Sequence, residues 1–152
     1  MSASEVQFSS EQAGEVSGEQ PTLIPPGEYT LGLVGWRTAI MWGRSHKLVL
    51  HFKVVGFGDC FGAAVNRYYN IKRVIGTPGP GGRFKATWNQ DVVREYARIV
   101  GAPGRLDRLD LCKLSKLLIV GRVDTVCVTA RQRSIPDCLK YSVVRELLRT
   151  GA

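Results

Sequence analysis

Apolar and polar residues alternate with a period of two along much of this chain, the pattern of half-buried strands. The clearest run lies between residues 47 and 54. There Leu48, Leu50, Phe52 and Val54 fall on one side, and Lys47, Val49, His51 and Lys53 on the other. One side predicts a core-facing surface and the other a surface open to solvent or ligand. Ahead of it, Glu28 to Trp42 predicts one long strand in which Tyr29, Leu31 and Leu33 alternate with smaller or polar residues. Gly32 and Gly35 allow that strand strong coiling or a bulge. Gly43-Arg44-Ser45 and Gly56-Phe57-Gly58-Asp59 read as turns. A third strand is expected from about Phe61 to Val74. Its even positions Asn66, Tyr68, Asn70 and Lys72 form a polar face, whereas Tyr69 falls with Val65 and Ile71 on the core side.

The period then changes. Gly76 to Gly82 is too rich in Gly and Pro for a regular element and reads as a flexible loop. Thr87-Trp88-Asn89-Gln90 matches a capping box, in which Thr87 and Gln90 satisfy each other's free backbone N–H groups. Val92, Val93, Tyr96, Ala97 and Val100 follow at helical spacing, and Gly101 is a helix stop. Residues 105–116 fit a short turn or helix, with Asp107 and Asp110 suited to a helix terminus. Leu117 to Ala130 predicts a fourth strand with a bend at Gly121, and Arg131 to Asp137 a polar loop around Pro136. Leu139, Tyr141 and Val143 then alternate with Lys140 and Ser142 as a fifth strand, while Val144 to Leu148 fits either strand or helical turn.

Three strands, a helix and two strands, with hairpin-length links inside each group, predict a mainly β fold. The expected form is a five-stranded antiparallel OB-like barrel with one helix between strands 3 and 4. A ferredoxin-like βαββαβ order would need a helix directly after the first strand, where this chain has a Gly turn.

Composition adds a division. The 152 residues suit one domain with an appendage. Residues 1–24, rich in Ser, Glu, Gln and Gly, read as a disordered acidic N-terminal tail, and 25–150 as the nucleic-acid-binding domain, opening near Pro25-Pro26-Gly27. The tail holds Glu5, Glu11, Glu15 and Glu19 and no Lys or Arg, so the rest carries 21 − 9 = +12 within a total of +8. Such a body attracts polyanions. The tail is suited to competing for a basic groove, to recruiting partners, or to neither. Cys60, Cys112, Cys127 and Cys138 are scattered, with no Cys-x-x-Cys and two histidines, so neither a metal nor a cofactor is expected. No apolar run reaches membrane-spanning length and no secretory pattern opens the chain, so a cytoplasmic protein without membrane contact is expected. Enzyme signatures such as the P-loop, Gly-x-Ser-x-Gly and His-Glu-x-x-His are missing, and the acids are dispersed; a non-enzyme is expected.

The ligand surface of an OB barrel is the outer face of strands two and three with the 1–2 and 4–5 loops. Strand two brings Lys47, His51 and Lys53 there, and strand three Tyr68 and Lys72, followed by Arg73. The 1–2 hairpin brings Trp36, Arg37, Trp42, Arg44 and His46, and the 4–5 loop Arg131, Arg133 and Lys140. Cations that track phosphates, interleaved with rings that stack on bases, are what a nucleic-acid single strand needs. Trp36 and Trp42 also fit core or dimer contacts, and each cation alone fits an ordinary solvated surface.

Ile24-Pro25-Pro26-Gly27-Glu28-Tyr29, the strand pattern, the helix stop at Gly101 and the closing Tyr141-Ser142-Val143-Val144 carry a resemblance. Over about residues 24–148 the chain resembles the OB-fold single-stranded DNA-binding proteins of phages, plasmids and integrative elements. The resemblance implies largely sequence-independent binding of single strands, DNA favoured over RNA, in replication, recombination or transfer of a mobile element, often as a homo-oligomer. Unlike cellular single-strand binders, the chain has its acidic segment at the N-terminus. The rival expectation is a protein-binding module, an assembly or inhibitory factor on the same barrel, with Ile40, Met41 and Trp42 as its contact surface.

Overall fold

The structure is a computed structural model, and it describes residues 22–101, 109–127, 134, 136 and 140–151. Its long strands are β1 (Gly27–Met41), β2 (Ser45–Val54), β3 (Ala64–Asn70), β6 (Leu118–Val126) and β7 (Tyr141–Thr150). Two short strands, β4 (Arg73–Ile75) and β5 (Arg83–Lys85), form a separate hairpin, followed by the helices α1 (Asp91–Ile99) and α2 (Leu111–Ser115).

The five long strands make one mixed sheet in the order β1-β2-β3-β7-β6, and β6 pairs back onto β1, so the sheet closes on itself. β1 makes this possible by its length. Its Gly27–Gly32 stretch pairs with β6, while Leu31 onward pairs with β2. Four of the five pairings are antiparallel. The fifth, β3 with β7, is parallel and rests on the single pair Asn66↔Val143. This departs from the all-antiparallel sheet expected from the hairpin links. The reason is topological: β3 and β7 are separated by the hairpin, both helices and β6, a crossover long enough for parallel neighbours.

The helix also sits differently in the element order. One helix was expected between a third and a fourth strand; α1 instead follows the fifth strand of the chain, and α2 stands between it and β6. The expected third strand stops at Asn70, because Ile71 turns the chain into the hairpin, with its N–H donating to the His46 carbonyl at 3.2 Å. Lys72 and Arg73 therefore do not continue the β3 face. The segment from Val144 to Leu148 is strand throughout. Asp110 caps α2 by accepting from the Cys112 N–H at 3.1 Å. The capping box ahead of α1 forms by half: Gln90 Oε1 accepts from the Thr87 N–H at 3.1 Å, but Gln90 is itself the N-cap. Gly101 follows the C-cap with φ +121°, a backbone suited to glycine.

The described residues begin at Thr22, and the chain is already tied to the body ahead of Pro25. The Ser142 N–H donates to the Thr22 carbonyl at 2.8 Å, and Ile24 is buried. Leu31, Leu33, Leu48, Leu50, Phe52, Val65, Tyr69, Ile119, Val123, Val144 and Leu147 fill the interior, and Val92, Val93, Tyr96 and Ile99 of α1 pack against them. This core holds the outer face of β1–β2–β3 in register.

Candidate nucleic-acid interface

Three cross-strand rows make up that outer face. Ala39, Lys47 and Asn70 form the row nearest the β1–β2 turn, Arg37, Val49 and Tyr68 the next, and Gly35, His51 and Asn66 the third. Lys53 ends the β2 column opposite Ala64. Lys47 Nζ donates to Asn70 Oδ1, and His51 Nδ1 lies 2.9 Å from Asn66 Oδ1, whose amide nitrogen lies 3.4 Å from the Tyr68 hydroxyl. Val49 faces outward by alternation yet is fully buried, in contrast to the solvent-facing position expected for it. It is a short side chain whose ladder partners, Arg37 and Tyr68, are both long.

A cleft of about 660 Å³ opens beside these rows. Met41, Trp42, Lys47 and Tyr68 line one side, and Thr125, Val126, Cys127, Tyr141, Val143 and Arg145 the other. Trp42 stands at the β1–β2 turn with φ +54° and is 74% exposed. Its indole ring is held out in water at the edge of the cleft. Tyr141 and Arg145 were not among the expected site residues. Their signal was available: with Val143 they occupy alternate positions of β7, and Val143 pairs directly with Asn66.

Several expected site residues lie elsewhere. Trp36 is not on the outer face. A register irregularity between Leu33 and Gly35 shifts the alternation, so Trp36 pairs with Leu50, packs against the core, and lines a crevice with Gly82 and Phe84. Arg37 keeps its outer position but bridges to Pro80. The Gly76–Gly82 segment is seated on β1: the Thr38 N–H donates to the Gly79 carbonyl at 3.0 Å and the Gly81 N–H to the Trp36 carbonyl at 2.9 Å. It thus covers the β1 edge that β6 leaves free, where an unpaired ladder would otherwise be open. Arg44 is exposed in the turn. His46 acts inside the fold, its Nδ1 accepting from the Val74 N–H at 2.8 Å. Lys72 and Arg73 are exposed, Arg73 as the first residue of β4 and Lys72 just ahead of it, with the Lys72 N–H donating to the Lys85 carbonyl at 2.9 Å. Arg131 and Arg133 lie outside the described residues.

A buried ion pair, unforeseen from sequence, supports the cleft wall. Arg67 Nη2 and Nε donate to Glu95 at 2.7 and 3.3 Å, the Tyr69 hydroxyl donates to Glu95 Oε1 at 2.7 Å, and the Leu147 N–H donates to the same oxygen at 3.0 Å. The guanidinium lies 4.2 Å above the Tyr69 ring. Burial works most strongly against the Arg67 charge, but the Glu95 hydrogen bond together with the charges of Tyr69, Glu95 and Asp91 outweighs it and raises the guanidinium's pKa. Burial, then the nearby Glu95 charge, push the Tyr69 phenol well above its ordinary value. The sequence signal was Glu95 lying among Val92, Val93, Tyr96 and Ile99 on the buried side of α1.

Charge is unevenly distributed. The ion-paired cations Arg67, Arg94, Arg98, Arg122, Arg145 and Arg149 are on β3, α1, β6 and β7. Among the described residues no carboxylate lies within ion-pair distance of Arg37, Arg44, Lys47 or Lys53. Residues 31–90 contain one acid, Asp59, against Arg37, Arg44, Lys47, Lys53, Arg67, Lys72, Arg73, Arg83 and Lys85. Among the described residues there is no cluster of three or more metal-ligating side chains, and no helix is long and apolar enough to cross a membrane. Comparison of the chain with protein-family models, with curated proteins and with solved structures returns no match.

Proposed function

We propose that the chain is an OB-like barrel that binds single-stranded nucleic acid along the outer face of β1–β2–β3 and in the adjoining cleft. The observation that carries this reading is the coincidence, on one face, of cations without carboxylate partners and the accessible rings of Trp42, Tyr68 and Tyr141. Unneutralised cations draw in a phosphate backbone, and rings without a fixed hydrogen-bond code stack on any base, so recognition is largely sequence-independent. An open cleft beside a sheet admits a single strand whose bases are splayed apart, whereas a duplex keeps its bases stacked inside. The resemblance to phage, plasmid and integrative-element proteins favours DNA over RNA, and a role in replication, recombination or transfer of a mobile element.

Titration with oligo-dT and a matched duplex at two salt concentrations, followed by tryptophan fluorescence, tests this. The single strand is expected to bind more tightly, and log K to fall with log salt by about 0.7 per phosphate neutralised. Tyr68→Ala is expected to weaken binding by about 1–3 kcal/mol with little change in unfolding midpoint. Absence of binding at low salt would sink the reading.

One observation favours a second reading, a protein-binding module. Phe57 and Phe61 of the β2–β3 loop are exposed, their rings near parallel with centroids 6.3 Å apart. That reading expects a tight protein partner and no affinity for oligonucleotides.

A further inference from the structure

We infer that a pocket between α1 and β7 is a phosphate site, and that it takes up the terminal phosphate monoester of a strand lying in the cleft. The phosphate site rests on its own geometry; its assignment to a strand end rests on the function proposed above. The pocket holds about 270 Å³ where α1 packs across β3 and β7, and every described residue lining it is charged. Arg67, Arg94, Arg98 and Arg145 meet Asp91, Glu95 and Glu146 there. The carboxylates are each shared already. Glu95 accepts from Arg67, the Tyr69 hydroxyl and the Leu147 N–H. Asp91 serves Arg94 and, at 3.8 Å, Arg67, while Glu146 serves Arg98 at 2.7 Å and Arg122 at 3.5 Å. The guanidiniums are less fully used. Arg98 bonds Glu146 and the Leu147 carbonyl through Nη1 alone. Arg145 has Asp124 as its one carboxylate among the described residues, at 3.9 Å. A guanidinium carries five N–H donors, so the pocket holds donors in excess of acceptors.

Chemistry and size narrow the ligand. Spare guanidinium donors on α1 and β7 call for an anion with several acceptor oxygens, and phosphate matches the guanidinium fork. With no apolar side chain among the described lining residues, the pocket offers nothing to a base or a hydrophobic side chain. Sites that enclose a whole small molecule run from about 300 to 1,000 Å³, so this pocket suits one charged group of a ligand whose remainder lies outside. Arg67 and Arg145 line both the pocket and the cleft, which places that remainder in the cleft. An interior phosphodiester carries one charge and continues in two directions. A terminal phosphate carries about 1.5 to 2 negative charges at neutral pH and continues in one. A strand with hydroxyl ends leaves the pocket without its ligand.

The test titrates the full chain with short oligo-dT carrying a 5′-phosphate, a 3′-phosphate or hydroxyl ends, followed by tryptophan fluorescence. Phosphate at one end is expected to tighten binding about tenfold over the hydroxyl-ended strand, the worth of one charge-assisted hydrogen bond. Phosphate at the other end is expected to do much less. Equal gains from both ends would reveal long-range attraction only, and equal affinity of all three strands would remove the strand-end assignment. The double variant R94A/R145A alters two exposed side chains and is expected to abolish the gain. The ratio of phosphorylated to hydroxyl-ended affinity cancels any change in binding of the strand itself. Lys113→Ala, a loss of charge outside the pocket, is expected to keep that ratio; its loss there too would overturn the site. A second measurement omits nucleic acid. Inorganic phosphate is expected to raise the unfolding midpoint of the parent above that in chloride of equal ionic strength, and to raise it less in R94A/R145A. The same rise in both proteins would overturn the phosphate site. A larger rise in the parent, with equal affinity for the three strands, would assign the pocket to a free phosphate compound instead of a strand end. A larger rise in the parent with no strand bound at all would remove the nucleic-acid reading and leave the phosphate site standing.

Discussion

At the scale of single residues, the most consequential side chain is Glu95. It is 4% exposed and accepts from Arg67, the Tyr69 hydroxyl and the Leu147 backbone, so it ties α1 to both β3 and β7. Desolvating this ion pair offsets much of its Coulomb gain, so the intact pair contributes modest stability. Removing one partner is different, because the other charge stays buried and uncompensated. Glu95→Ala is expected to lower the unfolding free energy by about 3–5 kcal/mol in chemical denaturation. The Arg98–Glu146 pair offers a contrast at a similar 2.7 Å. There the hydrogen bond from Arg98 lowers the Glu146 pKa, but both side chains are substantially exposed, and water screens what the pair contributes to stability.

At the scale of elements, two glycine-associated irregularities bend strands around the core. The first lies in β1 between Leu33 and Gly35, and it turns Trp36 inward while leaving Arg37 outside. The second lies in β6 beside Gly121, opposite β7. A Cβ at Gly121 would stand 2.7 Å from Leu31 Cδ1 and 3.1 Å from Val144 Cγ1, so both of these side chains would have to give way to it. Both neighbours are buried, which leaves little room to yield. Gly121→Ala is expected to cost about 1–3 kcal/mol as an overpacking change, read from the denaturant midpoint. Retention of full stability would mean that Leu31 and Val144 repack freely around the added methyl group.

At the scale of the whole molecule, the fold separates compensated from uncompensated cations. Arg98 and Arg122 share Glu146, and Arg149 pairs with Glu28, on the side of α1, β6 and β7. Lys53 has no such partner on the β2 column. The proposed binding then implies a graded response. Lys53→Ala is expected to reduce the slope of log K against log salt by about 0.7, one phosphate contact, whereas Arg98→Ala leaves that slope unchanged. Equal effects of the two substitutions would place the nucleic acid outside the β1–β2–β3 face.

Alternation along the chain determined much by itself. Whether a β2 residue faces the core or away from it follows from the period of two, and Leu48, Leu50, Phe52 and Val54 are buried as that period requires. The buried face of α1 and its Gly101 stop are local as well, since helical spacing and left-handed backbone are properties of neighbouring residues. The mainly β character and the concentration of positive charge outside residues 1–24 belong to the same class. Tertiary structure decided the rest. Ladder partners buried Val49 against the expectation from alternation, the β1 irregularity removed Trp36 from the outer face, and the return of β7 alongside β3 brought Tyr141 and Arg145 to the cleft. The pairing of Arg67 with Glu95 and the seating of Gly79–Gly81 on β1 likewise join residues far apart in the chain. Local spacing carries no record of such distances, because they are set only when the strands pair and the sheet closes.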